Sequence, residues 1–242
     1  MTGPRGGKRG IEMNHSKLSR WGIAAMAACA CLTGFAGCGA AGAKGKVAIA
    51  DPAVDDSLAK TKGQQTVVLS GGCFWGIQLV FEHVKGVTRA TAGYSGGSAK
   101  TAEYEIVSTG TTGHAESVQV VYDPSVITFG QLLKVFFSVA HDPTELNRQG
   151  PDSGTQYRSA IFYASDDQKR IAQAYISQLD AAKSFGRPIV TQVTVFQAFY
   201  PAEDYHQDYA VHNPDNPYIA FNDLPKLARL REQLPELYMA EK

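Results

Sequence analysis

Apolar and polar positions in this chain of 242 residues fall into short runs whose period changes along the sequence. Thr66 to Leu69 is a continuous β-branched or apolar run. Its length suits a buried strand better than a helix. Ser70-Gly71-Gly72-Cys73 follows, a set of small residues at which the backbone turns, and Ile77, Leu79, Val80 and Phe81 then resume an apolar pattern suited to a short helix. Cys73 would sit in the first turn of that helix. Val87 to Gly93 reads as a second strand and Gly93 to Gly97 as a glycine-rich loop. His114 to Tyr122 alternates, carries Val118, Val120 and Val121, and ends at Asp123-Pro124, which predicts a third strand.

Positions 129, 132, 133, 136, 137 and 140 are apolar, the spacing of one helix face, and Thr128 stands ready as its N-cap. Residues 142–154 are rich in Asp, Pro, Gly and Asn and read as loop. Ser159 to Tyr163 is a strand; Ser165 or Asp166 then caps a helix to about Lys183. Ile171, Ala174, Tyr175, Leu179 and Ala182 fall on or near one face of it, with Gln178 as the polar interruption. Pro188 to Phe196 is a further strand. The tail from Glu203 begins with a short helical piece, continues as Pro- and Asn-rich coil, and closes with a helix from Leu224 to about Leu234. Strands and helices alternate irregularly with probable neighbours antiparallel in the sheet, so the pattern predicts an α+β fold in a single domain, residues 65–242.

Ahead of residue 65 the pattern is different. Residues 1–12 are rich in Gly, Lys and Arg, and either Met1 or Met13 could start the chain. Lys17 and Arg20 precede an uncharged, alanine-rich run, Trp21 to Ala36, shorter than the ~20 residues a membrane span needs. The run ends Phe35-Ala36-Gly37-Cys38. A basic start, a short apolar core and small residues describe a secretory signal. The last four residues resemble a bacterial lipobox, with Phe35 where leucine is usual; that resemblance implies lipidation of Cys38. Other readings are an ordinary signal, an uncleaved anchor or a buried alanine-rich helix. Residues 1–37 are therefore expected to be an extension and lipoprotein-type signal peptide. Residues 38–64, rich in Gly, Ala, Lys and Asp, are expected to form a flexible tether. The expected location is the bacterial cell envelope, with export and a lipid anchor as the only membrane attachment.

Charge narrows the partners. Lys plus Arg and Asp plus Glu number 23 each, but residues 1–37 hold five basic residues and one acidic, leaving the rest at a net of −4. A mildly acidic body argues against nucleic acid, which needs a basic face. The cysteines are Cys29, Cys31, Cys38 and Cys73; three crowd into the apolar leader, so an even count does not imply a disulfide framework. His206 and His212, with Asp204 and Asp208, match no standard zinc spacing, and no metal is expected. Polar residues in such a tail ordinarily make surface hydrogen bonds.

A lone cysteine is most often a small buried hydrophobe. At a strand–Gly-Gly–Cys–helix junction, however, the side chain emerges at a sheet edge, as in a nucleophile elbow. The free N–H groups and positive end of a helix N-terminus favour a thiolate there. A cysteine hydrolase or acyltransferase would also need a histidine base, for which His83 and His114 are candidates. A non-catalytic envelope lipoprotein that binds oxidised or Met-rich surfaces is a third reading.

The string Gly71-Gly72-Cys73-Phe74-Trp75-Gly76 resembles the signature of the peptide methionine sulfoxide reductase A family. Gly93-Tyr94-Ser95-Gly96-Gly97, Tyr104-Glu105, Gly113-His114-Ala115-Glu116, His141-Asp142-Pro143-Thr144, Gly154-Thr155-Gln156-Tyr157-Arg158-Ser159 and Ala202-Glu203-Asp204-Tyr205-His206-Gln207 resemble its further motifs, in its order, over about residues 65–238. The resemblance implies a two-layer sandwich around a split βαβ, ferredoxin-like unit. It implies thiol-dependent reduction of methionine-S-sulfoxide, free or in proteins, to methionine, and so repair under oxidative stress. Cys73 is then the nucleophile that becomes a sulfenic acid, and Glu116 the acid that protonates the departing oxygen. A glutamate protonated near neutral pH must be desolvated or close to negative charge, so it should titrate together with the cysteine. By the same resemblance Tyr104 and Tyr157 bind the sulfoxide oxygen, Asp152 organises the site, and Phe74 and Trp75 cage the methyl group. No bound cofactor is implied. Many members resolve the sulfenic acid with a later cysteine, whereas here none follows Cys73 and Ile219 stands in Pro217-Tyr218-Ile219 where some relatives place it. A one-cysteine cycle is expected, in which an external thiol of thioredoxin, glutaredoxin or small-molecule type is the reductant and the enzyme works as a monomer.

Overall fold

The structure, a computed structural model, describes residues 49–240. The expected signal peptide, Cys38 and the first part of the expected tether lie outside the described residues. The fold is α+β, built on a six-stranded sheet in the order β7-β6-β1-β3-β2-β8. These strands are β1 Gln65–Gly71, β2 Val87–Ser95, β3 Ala115–Tyr122, β6 Ser159–Tyr163, β7 Gln192–Val195 and β8 Phe199–Pro201. Two-residue strands β4 (Arg148–Gln149) and β5 (Asp152–Ser153) pair separately, inside the segment read as loop. β3 is antiparallel to both β1 and β2, so those two run the same way with β3 between them. β6 is antiparallel to β1 and parallel to the edge strand β7.

Alternation sorts the side chains. Val67 and Leu69 of β1, with Val118, Val120 and Tyr122 of β3, join the main core, whereas Val68 faces a smaller cluster with Ala160 and Phe162. Helix α1 (Phe74–Glu82) packs on the main-core face and connects β1 to β2. α2 is a single turn, Tyr104–Val107. α3 (Phe129–Val135) runs on through a wider π turn, Phe136–Ala140, so the helical run covers the expected 129–140. Its N-terminus has a full capping box: Gln131 N donates to Thr128 Oγ1 at 3.1 Å and Thr128 N to Gln131 Oε1 at 3.0 Å. α4 (Asp166–Ala181) is capped by Ser165, and α5 is the turn Tyr209–His212. α6 (Leu224–Gln233), with Pro225 in its first turn, packs on α1.

Three sequence expectations change. Gly93 lies inside β2 rather than opening a loop, because a Cβ there would meet the Phe199 ring at 2.5 Å and collide with the Tyr200 carbonyl of β8. The glycine serves close approach between strands. On α4 the buried alanine is Ala172, not Ala174. The third change concerns the tether. Residues 49–55 lie against α3 and α4: Ile49 is buried, Tyr175 Oη donates to Ala50 O at 2.7 Å, and Gln178 bonds both Ala53 N and Asp51 O at 2.8 Å. The polar interruption in the apolar face of α4 therefore has a partner. Asp55 adds a second cap to α3, accepting from Thr128 Oγ1 and, at 2.8 Å, from Gly130 N.

Asp55→Ala removes two acceptors from the start of α3, at a cost of about 1–2 kcal/mol. The urea midpoint is expected to fall accordingly, and Asp55→Asn to recover part of the loss.

Candidate active site

Cys73 is placed by a backbone reversal. Gly72 has φ 98°, where a side chain would be strained, and a Cβ on it would also lie 2.5 Å from Gln149 Cγ. Cys73 then stands at the N-cap of α1, 7% exposed, with no capping hydrogen bond of its own. Burial pushes the thiol well above its ordinary range, and the Glu116 and Asp223 carboxylates push it further. The Trp75 backbone N–H and Lys226 act the other way and lose. The expectation of a thiolate favoured by the helix N-terminus is corrected for the resting site: desolvation by the core outweighs the helix dipole.

Glu116 lies on β3, on the face shared by Val118 and Val120, and is 3% exposed. Its Oε2 accepts a hydrogen bond from Phe74 N, the residue after the cysteine, at 3.1 Å. Burial raises its carboxyl from an ordinary value near 4.5 to about 8; the Phe74 bond lowers it, and Asp152 and Asp223 add to the rise. Burial thus favours the neutral form of both Glu116 and Cys73, and a charge on Glu116 disfavours one on the sulfur.

The remaining candidates converge on this pair. Tyr104 opens α2 and Tyr157 ends the short 3₁₀ turn Thr155–Tyr157; both are half-buried. Burial raises both phenols, and Glu116 and Cys73 are among the negative charges that raise each further. Both therefore stay O–H donors. Asp152, in β5, acts on Glu116 and on Tyr157, and its carboxylate accepts the hydroxyl of Tyr218. Phe74 is buried, its ring 5.8 Å from that of Tyr94, while Trp75 is partly exposed. Trp75 stacks on Tyr209 at 4.0 Å and meets Tyr218 edge-on at 6.1 Å.

Sequence reasoning missed three residues here. Tyr218 was passed over for its neighbour Ile219. His206, read as a surface residue, is 1% exposed and packs its ring 4.4 Å from Tyr104 and 5.1 Å from Phe74. Trp75 Nε1 donates to its Nδ1 at 3.1 Å, which leaves the imidazole proton on Nε2, facing Glu203 Oε2 at 3.8 Å. Glu203 accepts from Tyr104 N at 2.8 Å and from Tyr94 Oη at 2.9 Å. One carboxylate and one imidazole so fix both the tryptophan and the backbone of the tyrosine. The signal lay in the motif holding Glu203 and His206, which sequence alone gave no reason to bury.

A histidine base for Cys73 is not supplied by the candidates. His83 sits at the far end of α1 with Nδ1 on Leu79 O at 2.8 Å. His114 uses both ring nitrogens on backbone, Gly97 N at 3.2 Å and Ser98 O at 3.0 Å. His141, against Gly71, is held by Phe136 O and Ser159 Oγ. Among the described residues no group of three or more His, Cys, Asp or Glu is placed to hold a metal ion.

The arrangement offers a sulfur nucleophile, a neutral carboxylic acid and two phenol donors around one point. Residues 65–237 match the family model described as peptide methionine sulfoxide reductase. The chain is 61% identical over 176 residues to peptide methionine sulfoxide reductase MsrA 2 of Mesorhizobium japonicum, covering 73% of this chain and 90% of that one. To MsrA 2 of Synechocystis sp. it is 52% identical over 195 residues, 80% of this chain and 91% of that one. Among solved structures it is similar to reduced Mxr1 from Saccharomyces cerevisiae, with 35% identity, a TM-score of 0.58 and coverage of 66% and 94%. It is also similar to methionine sulfoxide reductase A of Corynebacterium diphtheriae, with 38% identity, a TM-score of 0.54 and coverage of 64% and 77%. With the family model matched over residues 65–237 and relatives 61% and 52% identical, the chain belongs to the peptide methionine sulfoxide reductase family.

Proposed function

We propose that this oxidoreductase reduces methionine-S-sulfoxide, free or in oxidised proteins, through a sulfenic acid on Cys73, and that it completes the cycle without a second cysteine of its own. The observation that carries this reading is the buried Glu116 carboxyl, raised to about 8 and bonded to the amide that follows Cys73. A neutral acid is what the sulfoxide oxygen requires, since a poor leaving group departs only when protonated. The phenols of Tyr104 and Tyr157 donate to that oxygen, and Trp75 walls the methyl group. Glu116 gives its proton to the oxygen and recovers one from the Cys73 thiol as the sulfur attacks. Oxygen passes to Cys73, whose sulfur is oxidised by two electrons while the substrate sulfur is reduced by two. One external thiol then displaces water from the sulfenic acid, and a second thiol splits the mixed disulfide and restores Cys73. A thioredoxin, a glutaredoxin or a small dithiol fits this role. The strand order, β3 between β1 and β2 with α1 crossing over, supports the split βαβ, ferredoxin-like description of the scaffold.

We also read residues 1–37 as an export signal and Cys38 as a lipidated first residue, on the basic start, the apolar run and the small residues before the cysteine. This puts a monomeric enzyme at the cell envelope. Cys38→Ala is expected to move the protein from the membrane fraction to the soluble one.

With dithiothreitol, turnover of the S epimer is expected, with at least a thousandfold loss in Cys73→Ser. One equivalent of substrate without reductant should leave a sulfenic acid that dimedone traps; an internal disulfide would refute the one-cysteine cycle. Glu116 is useful only while protonated, so the rate on its limb is expected below about pH 8 and lost as pH rises through it. The sign for stability follows. Below the ordinary value near 4.5 both states hold the proton; above it the unfolded chain ionises and the fold loses stability until about pH 8. Glu116→Gln keeps an acceptor for Phe74 N and removes that penalty, so at pH 7 it should unfold ~1–3 kcal/mol harder while losing about a hundredfold in kcat. His206→Phe removes the acceptor for Trp75 Nε1 and should raise KM about tenfold more than it lowers kcat.

A further inference from the structure

Beneath the first turn of α1 lies an ion pair that the mechanism above does not use. Asp223, 0% exposed, ends the π turn Ile219–Asp223, and Lys226, 8% exposed, follows one turn later in α6. Lys226 Nζ donates to Asp223 Oδ1 at 3.0 Å, and the second carboxylate oxygen is buried with no hydrogen-bond partner. Both charges lie against Gly76: a Cβ there would collide with Asp223 Oδ1 and sit 2.6 Å from Lys226 Nζ. Gly76 lies in the first turn of α1, three residues after Cys73 at its N-cap, so the pair sits against the turn that carries the sulfur. The absence of a side chain at Gly76 is what lets a carboxylate and an ammonium approach so closely. A buried pair of this kind is a poor device for stability alone, because two apolar side chains of the same volume would serve as well.

We propose that Asp223 is a positioning residue for the chemistry, a buried carboxylate set against the first turn of α1 beside Cys73 that shields the sulfur from peroxide. This rests on the reading of Cys73 as the nucleophile and extends it. Peroxide oxidation needs the thiolate: its sulfur attacks one oxygen of hydrogen peroxide, hydroxide leaves, and sulfur loses two electrons to become the sulfenic acid. A second peroxide carries it to the irreversible sulfinic acid. No cysteine follows Cys73 to trap the first product as a disulfide, so a low resting thiolate population is a protection this chain needs. Burial raises the Asp223 carboxyl and Lys226 pulls it back down, while at the sulfur the push of Asp223 exceeds the opposing pull of Lys226. The other groups that act with Cys73 are Glu116 from β3, Tyr104 from α2, Tyr157 from the 3₁₀ turn, and Tyr218, whose hydroxyl Asp152 accepts. None of these brings a positive charge, and Asp223 and Glu116 are the two carboxylates that act on the thiol directly.

The test uses the full chain with Cys29, Cys31 and Cys38 replaced by serine, so that Cys73 is the one thiol. Iodoacetamide alkylation is followed against pH, and loss of free thiol against hydrogen peroxide. Asp223→Asn is expected to alkylate about tenfold faster at pH 7, a shift of about one unit in the profile, and to over-oxidise about tenfold faster. The double variant Asp223→Asn with Lys226→Met removes both charges and should return to within about threefold of the parent. Circular dichroism establishes folding, and Asp223→Ser takes the place of Asp223→Asn if that variant does not fold. An unchanged profile in a folded Asp223 variant overturns the proposal, as does a double variant as fast as the single one. Alkylation requires no sulfoxide turnover, so failure here and failure of the reductase reading are separate results.

Discussion

The structure depends on one hydrogen bond between a strand and the start of a helix. Phe74 N belongs to the first turn of α1, where amides lack an intrahelical partner, and Glu116 Oε2 on β3 accepts from it. An orphan donor and a buried acceptor satisfy each other inside the core. Because Phe74 follows Cys73 directly, the bond that orients the acid also fixes its distance from the sulfur. The sheet order makes this possible: β3 lies between β1, which delivers the cysteine, and β2.

The same burial that fixes the geometry sets the protonation states. In water a glutamate ionises and a thiol is more acidic than the Cys73 site allows; here burial pushes both groups toward their neutral forms. A thiolate formed in advance beside a charged Glu116 would have neither a proton to donate to the oxygen nor a favourable neighbour. A thiol beside a protonated acid needs only a proton shift as the substrate oxygen accepts charge. On the proposed reading, a sulfoxide oxygen bound by Tyr104 and Tyr157 would meet donors where negative charge develops, which would favour the shift at that moment and not before.

Much of this was legible in the residues themselves. The strand–Gly-Gly–Cys–helix junction follows from four small residues between two apolar patterns, and the structure has it with Gly72 in a left-handed conformation. Glu116 was singled out by the family resemblance alone; its place on the core face beside Val118 and Val120 comes from the structure. What was not legible depends on contacts distant in sequence. His206 looked like a tail residue because nothing local announces that Trp75, 131 positions earlier, will donate to it. Gln178 broke an apolar face for the sake of residues 51–53, which carry no hydrophobic signal. The resting state of Cys73 was misread for a related reason: a helix start is a local property, whereas the desolvation that overrides it is summed over the whole core.

That last difference bears on how the proposed one-sulfur repair reaction would resist peroxide. A permanently ionised cysteine reacts with any electrophile that reaches it, peroxide included. A cysteine whose ionisation is held back chiefly by a dry surround reacts where binding energy supplies what the resting site withholds. Selectivity for a sulfoxide over a peroxide then comes from the requirement for an oxygen that two phenols and an acid can grip together with a methyl group that Trp75 can wall. Hydrogen peroxide offers the oxygen but no apolar group, so it recruits only part of that binding. The carboxylates that make Cys73 slow in general are therefore part of what makes it discriminating in particular.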